Sequence, residues 1–451
     1  MLDIYSPYSN KVVGSVKSCS IEDINNAVQE LRKYKFNING FERSNLISTA
    51  AKKLEEKTDV FIDIIIDEIG ISYKDAKHEV DRSVNVLKIC AEESKRIQGE
   101  ITPSEISEGF HDKLIYSRRD PIGIVLCITP FNHPLNQVVH KIMPALAANN
   151  AVLLKPSRKC PITAQKLVEL LYESGFPREM LQIITGEDAV IGKELVSNKY
   201  INMISFTGSV PTGEKIASWS GIKKTSFELG GNDALVVDTS ADLDHAAQVA
   251  SDGAFKNSGQ RCSSTKRIII ESEIKDEFLK KFKLIAEKLK VGDPKDKSTD
   301  IGTVIDIDAA KVIENRINSA VAKGAQIITG GNRVNAQIHP TIIDNVNMKM
   351  EIVAEETFGP IAPIISVESF EHAIEVVNST PFGLNSALIS NNHRNINYFI
   401  KNVITGGIRI NEASSFRNEM LPYGGTKISG YGRGGIRYAM KEMCNLKTIL
   451  I

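Results

Sequence analysis

Neither sign of charge predominates: 55 Lys and Arg stand against 55 Asp and Glu in 451 residues, a formal net charge of zero. A nucleic-acid groove therefore lacks its usual electrostatic footprint. Long apolar runs are missing as well. Phe61-Ile62-Asp63-Ile64-Ile65-Ile66 and Ile122 to Ile128 are far too short to span a bilayer, so no membrane association is expected. The opening Met-Leu-Asp-Ile-Tyr-Ser-Pro has no basic segment ahead of an apolar one, and no secretory signal is expected. Six cysteines (Cys19, Cys90, Cys127, Cys160, Cys262 and Cys444) lie scattered without a CxxC pair, which reads as reduced thiols in a cytosolic protein. The eight histidines are equally dispersed, with no HExxH and no Cys/His cluster, so no metal site is expected.

What is present is ordinary globular material, 42% hydrophobic and 24% charged, which excludes a mainly disordered or rod-like chain. The length predicts two or three domains with ample core. Ser20, followed by Ile21-Glu22-Asp23-Ile24, predicts a capped amphipathic helix, and residues 43–97 continue in helical pattern. Pro103, Gly109 and Pro121, around a mixed-charge stretch, predict an exposed hairpin over about 102–120. From residue 122 strands and helices alternate. Gly123 to Ile128, Ala151 to Leu154, Leu181 to Ile184 and Met203 to Phe206 are short buried-strand runs. Ala234 to Val237 and Arg267 to Ile270 start a second series. The fold class is α/β, with parallel sheet covered on both faces.

The most obvious glycine motif misleads. Gly430-Tyr431-Gly432-Arg433-Gly434-Gly435 fits GxGxxG, but only sixteen residues follow it, leaving no room for the βαβ unit that a dinucleotide fingerprint needs. It reads as a tight loop closing one domain against another. Phe206-Thr207-Gly208-Ser209-Val210-Pro211-Thr212-Gly213 is the better phosphate candidate, because it follows a strand and opens a helix whose free N–H groups can face a pyrophosphate. Cys262 stands in Asn257-Ser258-Gly259-Gln260-Arg261-Cys262-Ser263-Ser264, a polar setting with an adjacent cation, which favours thiolate. The other cysteines read as small core residues. Glu228 immediately precedes Leu229 and two glycines that admit a close approach.

Seven stretches then carry a resemblance that runs nearly the whole length. They are Thr129-Pro130-Phe131-Asn132, Leu154-Lys155-Pro156-Ser157, Phe206-Thr207-Gly208-Ser209, Glu228-Leu229-Gly230-Gly231, Gly259-Gln260-Arg261-Cys262, Glu356-Thr357-Phe358-Gly359-Pro360 and Pro422-Tyr423-Gly424-Gly425-Thr426-Lys427. In this order and spacing the chain resembles the NAD(P)-dependent aldehyde dehydrogenase superfamily. The resemblance implies Cys262 as nucleophile, Asn132 as oxyanion donor and Glu228 as the base that activates the hydrolytic water. For NAD or NADP it implies Lys155 at the adenine ribose, Glu356 at the nicotinamide ribose and Ser209 at the pyrophosphate. Ile128, Thr129, Pro130, Phe131, Ser157, Arg158, Gly186, Gly208, Gly230 and Phe358 complete that site. It further implies a Rossmann-like cofactor domain of residues 1–103 and 122–228, and an α/β thiol domain of residues 229–436. A small β oligomerisation element of 104–121 and 437–451 follows in turn, giving a homodimer or homotetramer.

Two departures matter. Many NAD-preferring members have Glu where this chain has Arg158, so a 2′-phosphate should be tolerated. The usual Gly-Arg-Glu near the C-terminus reads Gly432-Arg433-Gly434. As to substrate, Arg96, His133, Arg261 and Arg417 resemble the anion-binding positions of phosphonoacetaldehyde dehydrogenases, and such a cluster binds a dianion better than an apolar chain. Glyceraldehyde 3-phosphate, lactaldehyde and succinate semialdehyde are the alternatives. A cysteine hydrolase would want a histidine base paired to the thiol, and a retired binding protein would be expected to have lost Cys262, Asn132 or Glu228.

Overall fold

The computed structural model describes residues 1–106, 108–109 and 113–451. A hairpin of β1 (Leu2–Tyr5) and β2 (Val12–Val16) precedes four helices, α1 (Ile21–Leu31), α2 (Gly40–Glu56), α3 (Thr58–Ile69) and α4 (Tyr73–Glu93). Ser20 caps α1 as expected: its side chain accepts from the Asp23 N–H while Asp23 accepts from the Ser20 N–H. Next come β3 (Ile101–Thr102) and β4 (Ile115–Pro121). Residues 107 and 110–112 of the expected hairpin lie outside the described residues.

The alternating region follows as β5 (Ile124–Ile128), α5 (Asn136–Ala147), β6 (Ala151–Lys155), α6 (Pro161–Glu173) and β7 (Leu181–Ile183). It continues with α7 (Asp188–Ser197), β8 (Met203–Thr207), α8 (Val210–Ser220) and β9 (Lys224–Glu228). These strands are parallel, in the spatial order β9-β8-β5-β6-β7. The chain starts in the middle at β5, builds one side, and then crosses back to β8 on the other. A crevice is therefore expected outside the carboxyl ends of β5 and β8, where the order reverses.

The second series comprises β10 (Asp233–Val237), α9 (Leu243–Phe255), β11 (Thr265–Glu271), α10 (Lys275–Ala286) and α11 (Ile307–Ala322). Then come β12 (Gln326–Thr329), the small hairpin β13 (Arg333–Val334) and β14 (Gln337–Ile338), β15 (Thr341–Asp344) and α12 (Glu351–Ala354). It closes with β16 (Ile361–Val367), α13 (Phe370–Asn378), β17 (Asn385–Ile389), α14 (His393–Asn402) and β18 (Gly407–Ile410). Its sheet runs β12-β15-β16-β11-β10-β17-β18, parallel except for β12. Its inner strands are buried on both faces, which is why Ala234 to Val237 and Ile268 to Ile270 read as unbroken apolar runs, while the edge strands β12 and β18 are partly exposed.

The C-terminal segment forms β19 (Gly430–Tyr431), α15 (Ile436–Glu442) and β20 (Cys444–Leu450). It departs from the expected partition. β19 pairs antiparallel with β9, and Ile436, Met440, Met443 and Cys444 join the core of the first sheet. The α/β region that begins at residue 229 thus hands the chain back before 436, because the apolar side of α15 is buried against α4 and α5. Finally, β20-β4-β3 is a separate antiparallel sheet with Ile101, Leu446 and Leu450 exposed.

Candidate active site

Only residues 229–232 separate the carboxyl end of β9 from the start of β10, so the C-terminal edge of the first sheet faces the N-terminal edge of the second. Cys262 sits in the loop entering β11, beside β10, at this seam. Gly231 makes the approach possible, since a Cβ there would lie 2.4 Å from the Cys262 carbonyl oxygen. The loop before the thiol is wound tightly: Asn257, Ser258 and Gly259 all have positive φ, at 58°, 51° and 69°. Two non-glycine residues in that region are strained and need tertiary support. The Asn257 N–H donates to Asp75, and its side chain donates to the Asn132 carbonyl at 3.1 Å. In return Asn132 Nδ2 donates to the Gln260 carbonyl at 2.9 Å, so the expected oxyanion donor is anchored beside the expected nucleophile.

Two cavities meet there. One of about 450 Å³ opens between α4, α5, α9 and the 412–423 loop; another of about 300 Å³ lies over the carboxyl ends of β5 and β8. Among the described residues, Asn132 and Cys262 are the two that line both.

The second cavity has a lining that suits one end of a dinucleotide. It is lined by Pro130, Phe131, Gly208, Ser209, Gly230, Glu356 and Phe358 of the predicted set, together with Thr207. The buried hydroxyls of Thr129 and Thr207 have no hydrogen-bond partner among the described residues, which marks the end of each strand as built for a ligand. Ser209 is the N-cap of α8 without capping it, its hydroxyl lying 3.0 Å from that of Thr212. Glu356 is held by the Gly231 N–H at 3.1 Å and Lys266 at 3.2 Å, and Phe131 packs edge-on against Phe358. Ile128 ends β5 and Lys155 ends the adjacent β6, so Lys155, Ser157 and Arg158 follow along the same sheet edge. Gly186 leads into α7. Two carboxylates already occupy these cations: Lys155 ion-pairs with Asp188, and Arg158 lies 3.5 Å from Glu187.

In the larger cavity the structure brings together His133, Arg261 and Arg417, and adds Arg82. Arg96 is elsewhere. It lies past the end of α4, half-exposed, paired with Glu92 at 3.2 Å and Glu93 at 3.0 Å, in a separate cavity with Arg119 and Arg437. The buried Glu93 carboxylate, which also takes Arg437 at 3.1 Å, is what draws it away. The cations that do converge are not bare. Glu419 accepts from Arg82 Nε at 2.9 Å and lies 3.7 Å from Arg417. Burial opposes its ionisation, yet contact with His140, Arg82 and Arg417 holds it below the usual carboxylate range. Arg261 donates to the Asp252 and Gly253 carbonyls at 2.6 and 3.0 Å, and His133 lies 3.4 Å from Glu79.

This corrects the expected thiol chemistry. Burial pushes the Cys262 thiol up; the hydrogen bond it shares with Tyr423 and the charge of Lys266 oppose it. Lys266 Nζ also donates to the Arg261 and Cys262 carbonyls, both at 2.8 Å. Lys266 and Arg82 were not singled out from the sequence, because a lone cation in a strand or on a helix carries no motif.

Glu228 ends β9, buried, and lines a small cleft with Lys141, Ser205 and Gly434 behind the two larger cavities. A Cβ at Gly434 would lie 2.3 Å from Glu228 Oε1. The glycine that departs from the usual Gly-Arg-Glu thus leaves room for this carboxylate to withdraw. Lys141, whose charge burial disfavours and Glu228 supports, donates to Ser205 Oγ at 3.2 Å.

Comparison with known proteins agrees with this arrangement. A model described as the aldehyde dehydrogenase family matches residues 1–449. The 3-sulfolactaldehyde dehydrogenase of Priestia aryabhattai is 38% identical, across 100% of this chain and 94% of the relative. The lactaldehyde dehydrogenase of Methanococcus maripaludis is 37% identical, across 100% and 97%. The crystal structure of a glyceraldehyde-3-phosphate dehydrogenase from Methanocaldococcus jannaschii complexed with NADP is similar with a TM-score of 0.96 at 37% identity, covering 100% of this chain and 99% of that one.

Proposed function

The chain belongs to the aldehyde dehydrogenase family, and from that premise we propose that it oxidises a short aldehyde with an anionic far end to the carboxylic acid. It is an NAD(P)-dependent enzyme of the aldehyde-oxidising class, with the α/β fold of that family. Cys262 thiolate attacks the aldehyde carbon, and the new oxyanion is met by Asn132 Nδ2 and the Cys262 backbone N–H. NAD(P), held by Ser209 and Glu356, would supply the acceptor for the hydride that leaves this carbon, and a thioester to Cys262 would remain. Glu228 then takes a proton from water as it adds to the thioester, the C–S bond breaks, and acid and thiolate are released.

The observation that carries the substrate reading is the convergence of Arg82, Arg261 and Arg417 from three separate elements on the cavity that ends at Cys262. A terminal phosphonate, phosphate or sulfonate would be received there by charge-assisted hydrogen bonds. Phosphonoacetaldehyde is the first candidate; 3-sulfolactaldehyde and glyceraldehyde 3-phosphate present the same combination. A neutral 2-hydroxyaldehyde such as lactaldehyde is the second reading, favoured by Glu419, which already engages Arg82 and Arg417. A panel of short aldehydes with and without a terminal anion, followed by NAD(P)H absorbance, decides between them. Equal efficiency on propionaldehyde and phosphonoacetaldehyde overturns the anionic reading.

The cofactor domain is assigned to residues 1–103 and 122–228, with the C-terminal return from about residue 430. The sheet β20-β4-β3, with its exposed apolar residues, would pair copies into a homodimer or homotetramer, which sedimentation measures. Among the described residues no helix is long and apolar enough to cross a membrane. Six unpaired cysteines suit a reducing, cytoplasmic setting.

A further inference from the structure

The Cys262 sulfur has a partner that the reaction just described does not use. Tyr423 Oη lies 3.3 Å from Cys262 Sγ, across 161 residues of chain. The tyrosine is 5% exposed, and a buried phenol O–H needs an acceptor. Its ring is not free to turn elsewhere. The Tyr423 backbone pairs with Gly434 in an isolated bridge, and the Arg417 guanidinium lies over the ring, 4.1 Å from its centroid.

We propose that Tyr423 is a catalytic residue, its hydroxyl donating a hydrogen bond to the Cys262 sulfur whenever that sulfur is anionic. The inference rests on Cys262 being the nucleophile. Two moments in the cycle have a thiolate: before attack, and when the sulfur leaves the thioester. At the first, the thiol proton passes to solvent in the open cavity and the O–H stabilises the S⁻ left behind. At the second, water has added, Glu228 has taken its proton, and the C–S electron pair departs onto a sulfur that the same O–H receives. Between them the sulfur is neutral, and the hydrogen bond weakens without any proton changing hands.

The charges around the pair support this direction of donation. Burial raises both groups, the phenol well above its ordinary value, so the sulfur ionises first and the phenol keeps its proton. Arg417 and Arg409 face the phenol and Lys266 faces the thiol, while Glu228 and Glu356 work against an anion there. A phenylalanine at 423 would offer Arg417 the same ring and the cavity the same wall. The hydroxyl is the one thing it would lack.

The test is the pH dependence of Cys262 alkylation by iodoacetamide in full-length enzyme, with Cys262→Ala as the blank. Tyr423→Phe should raise the midpoint by about one pH unit, leaving about tenfold less thiolate at neutral pH, and should lower kcat more than it changes KM. Melting temperature and NADP binding confirm folding first, and Tyr423→Leu provides a second variant without the hydroxyl. An unchanged alkylation midpoint in a folded variant overturns the proposal. If instead Cys262→Ala still oxidises aldehydes, it is the nucleophile assignment that falls.

Discussion

Glu228 Oε1 occupies the place where a side chain at residue 434 would begin, 2.3 Å from the position of a Cβ on Gly434. The carboxylate assigned to water activation thus rests in a cleft beside Lys141, behind the thiol. Such a base must move forward for hydrolysis, and its absence should be felt in that step alone. Glu228→Gln is expected to leave a normal single-turnover burst of NAD(P)H followed by a slow steady state. Loss of the burst in a folded variant would place Glu228 in thiol activation instead.

Closing the cleft should have the opposite effect. Gly434→Ala puts a methyl group where the carboxylate withdraws, so Glu228 is biased toward the thioester side. Steady-state turnover should rise about twofold or more while the burst amplitude stays the same, a shift of roughly 0.4 kcal/mol in the barrier. A lower turnover with an unaltered burst would show that the withdrawn position is the productive one.

The cofactor end yields a third expectation. Arg158 stands where a carboxylate is frequent, but Glu187 sits 3.5 Å from it and Asp188 engages Lys155, so the cation that would welcome a 2′-phosphate is partly occupied. Glu187→Gln should therefore tighten NADP binding about tenfold, near 1.4 kcal/mol, with little change for NAD. Arg158→Glu should weaken NADP selectively. Both are read by fluorescence titration in the Cys262→Ala background, where no turnover interferes. An equal effect on the two cofactors would mean that this pair faces away from the ribose.

How much of this could be read beforehand depended on whether the signal was local. β5, β6, β8 and β11 are buried on both faces and were legible as apolar runs. Cys262, Asn132 and Glu228 were legible as candidates because each stands in a motif whose neighbours have backbone duties: Gly231 lets Cys262 approach, and Asn257 ties Asn132 to the Cys262 loop. β19 was not legible, since two residues carry no periodicity and their pairing with β9 is a tertiary event. Arg96 was misplaced for a related reason. Its motif position says nothing of Glu92 and Glu93, which take its guanidinium one turn away. Tyr423 stood in a quoted motif, yet only the fold shows that its hydroxyl reaches a sulfur 161 residues distant.

The substrate reading makes the last prediction. Arg82, Arg261 and Arg417 lie on separate elements, and the counter-charge of Glu419 is shared between two of them, leaving Arg261 with backbone carbonyls as its direct partners. A charge-assisted hydrogen bond contributes about 1.5–3 kcal/mol. Arg261→Leu should accordingly cost about tenfold to a hundredfold in kcat/KM toward phosphonoacetaldehyde or glyceraldehyde 3-phosphate, with little change toward a neutral aldehyde of similar length. Removing Arg261 also strands the Asp252 and Gly253 carbonyls, so a melting curve must first show the variant folded. Sulfate or phosphate should compete with the anionic aldehyde and leave NADP binding untouched. Should Arg261→Leu depress lactaldehyde and phosphonoacetaldehyde oxidation equally, the arginine braces the nucleophile loop rather than the substrate, and the neutral 2-hydroxyaldehyde reading gains the ground.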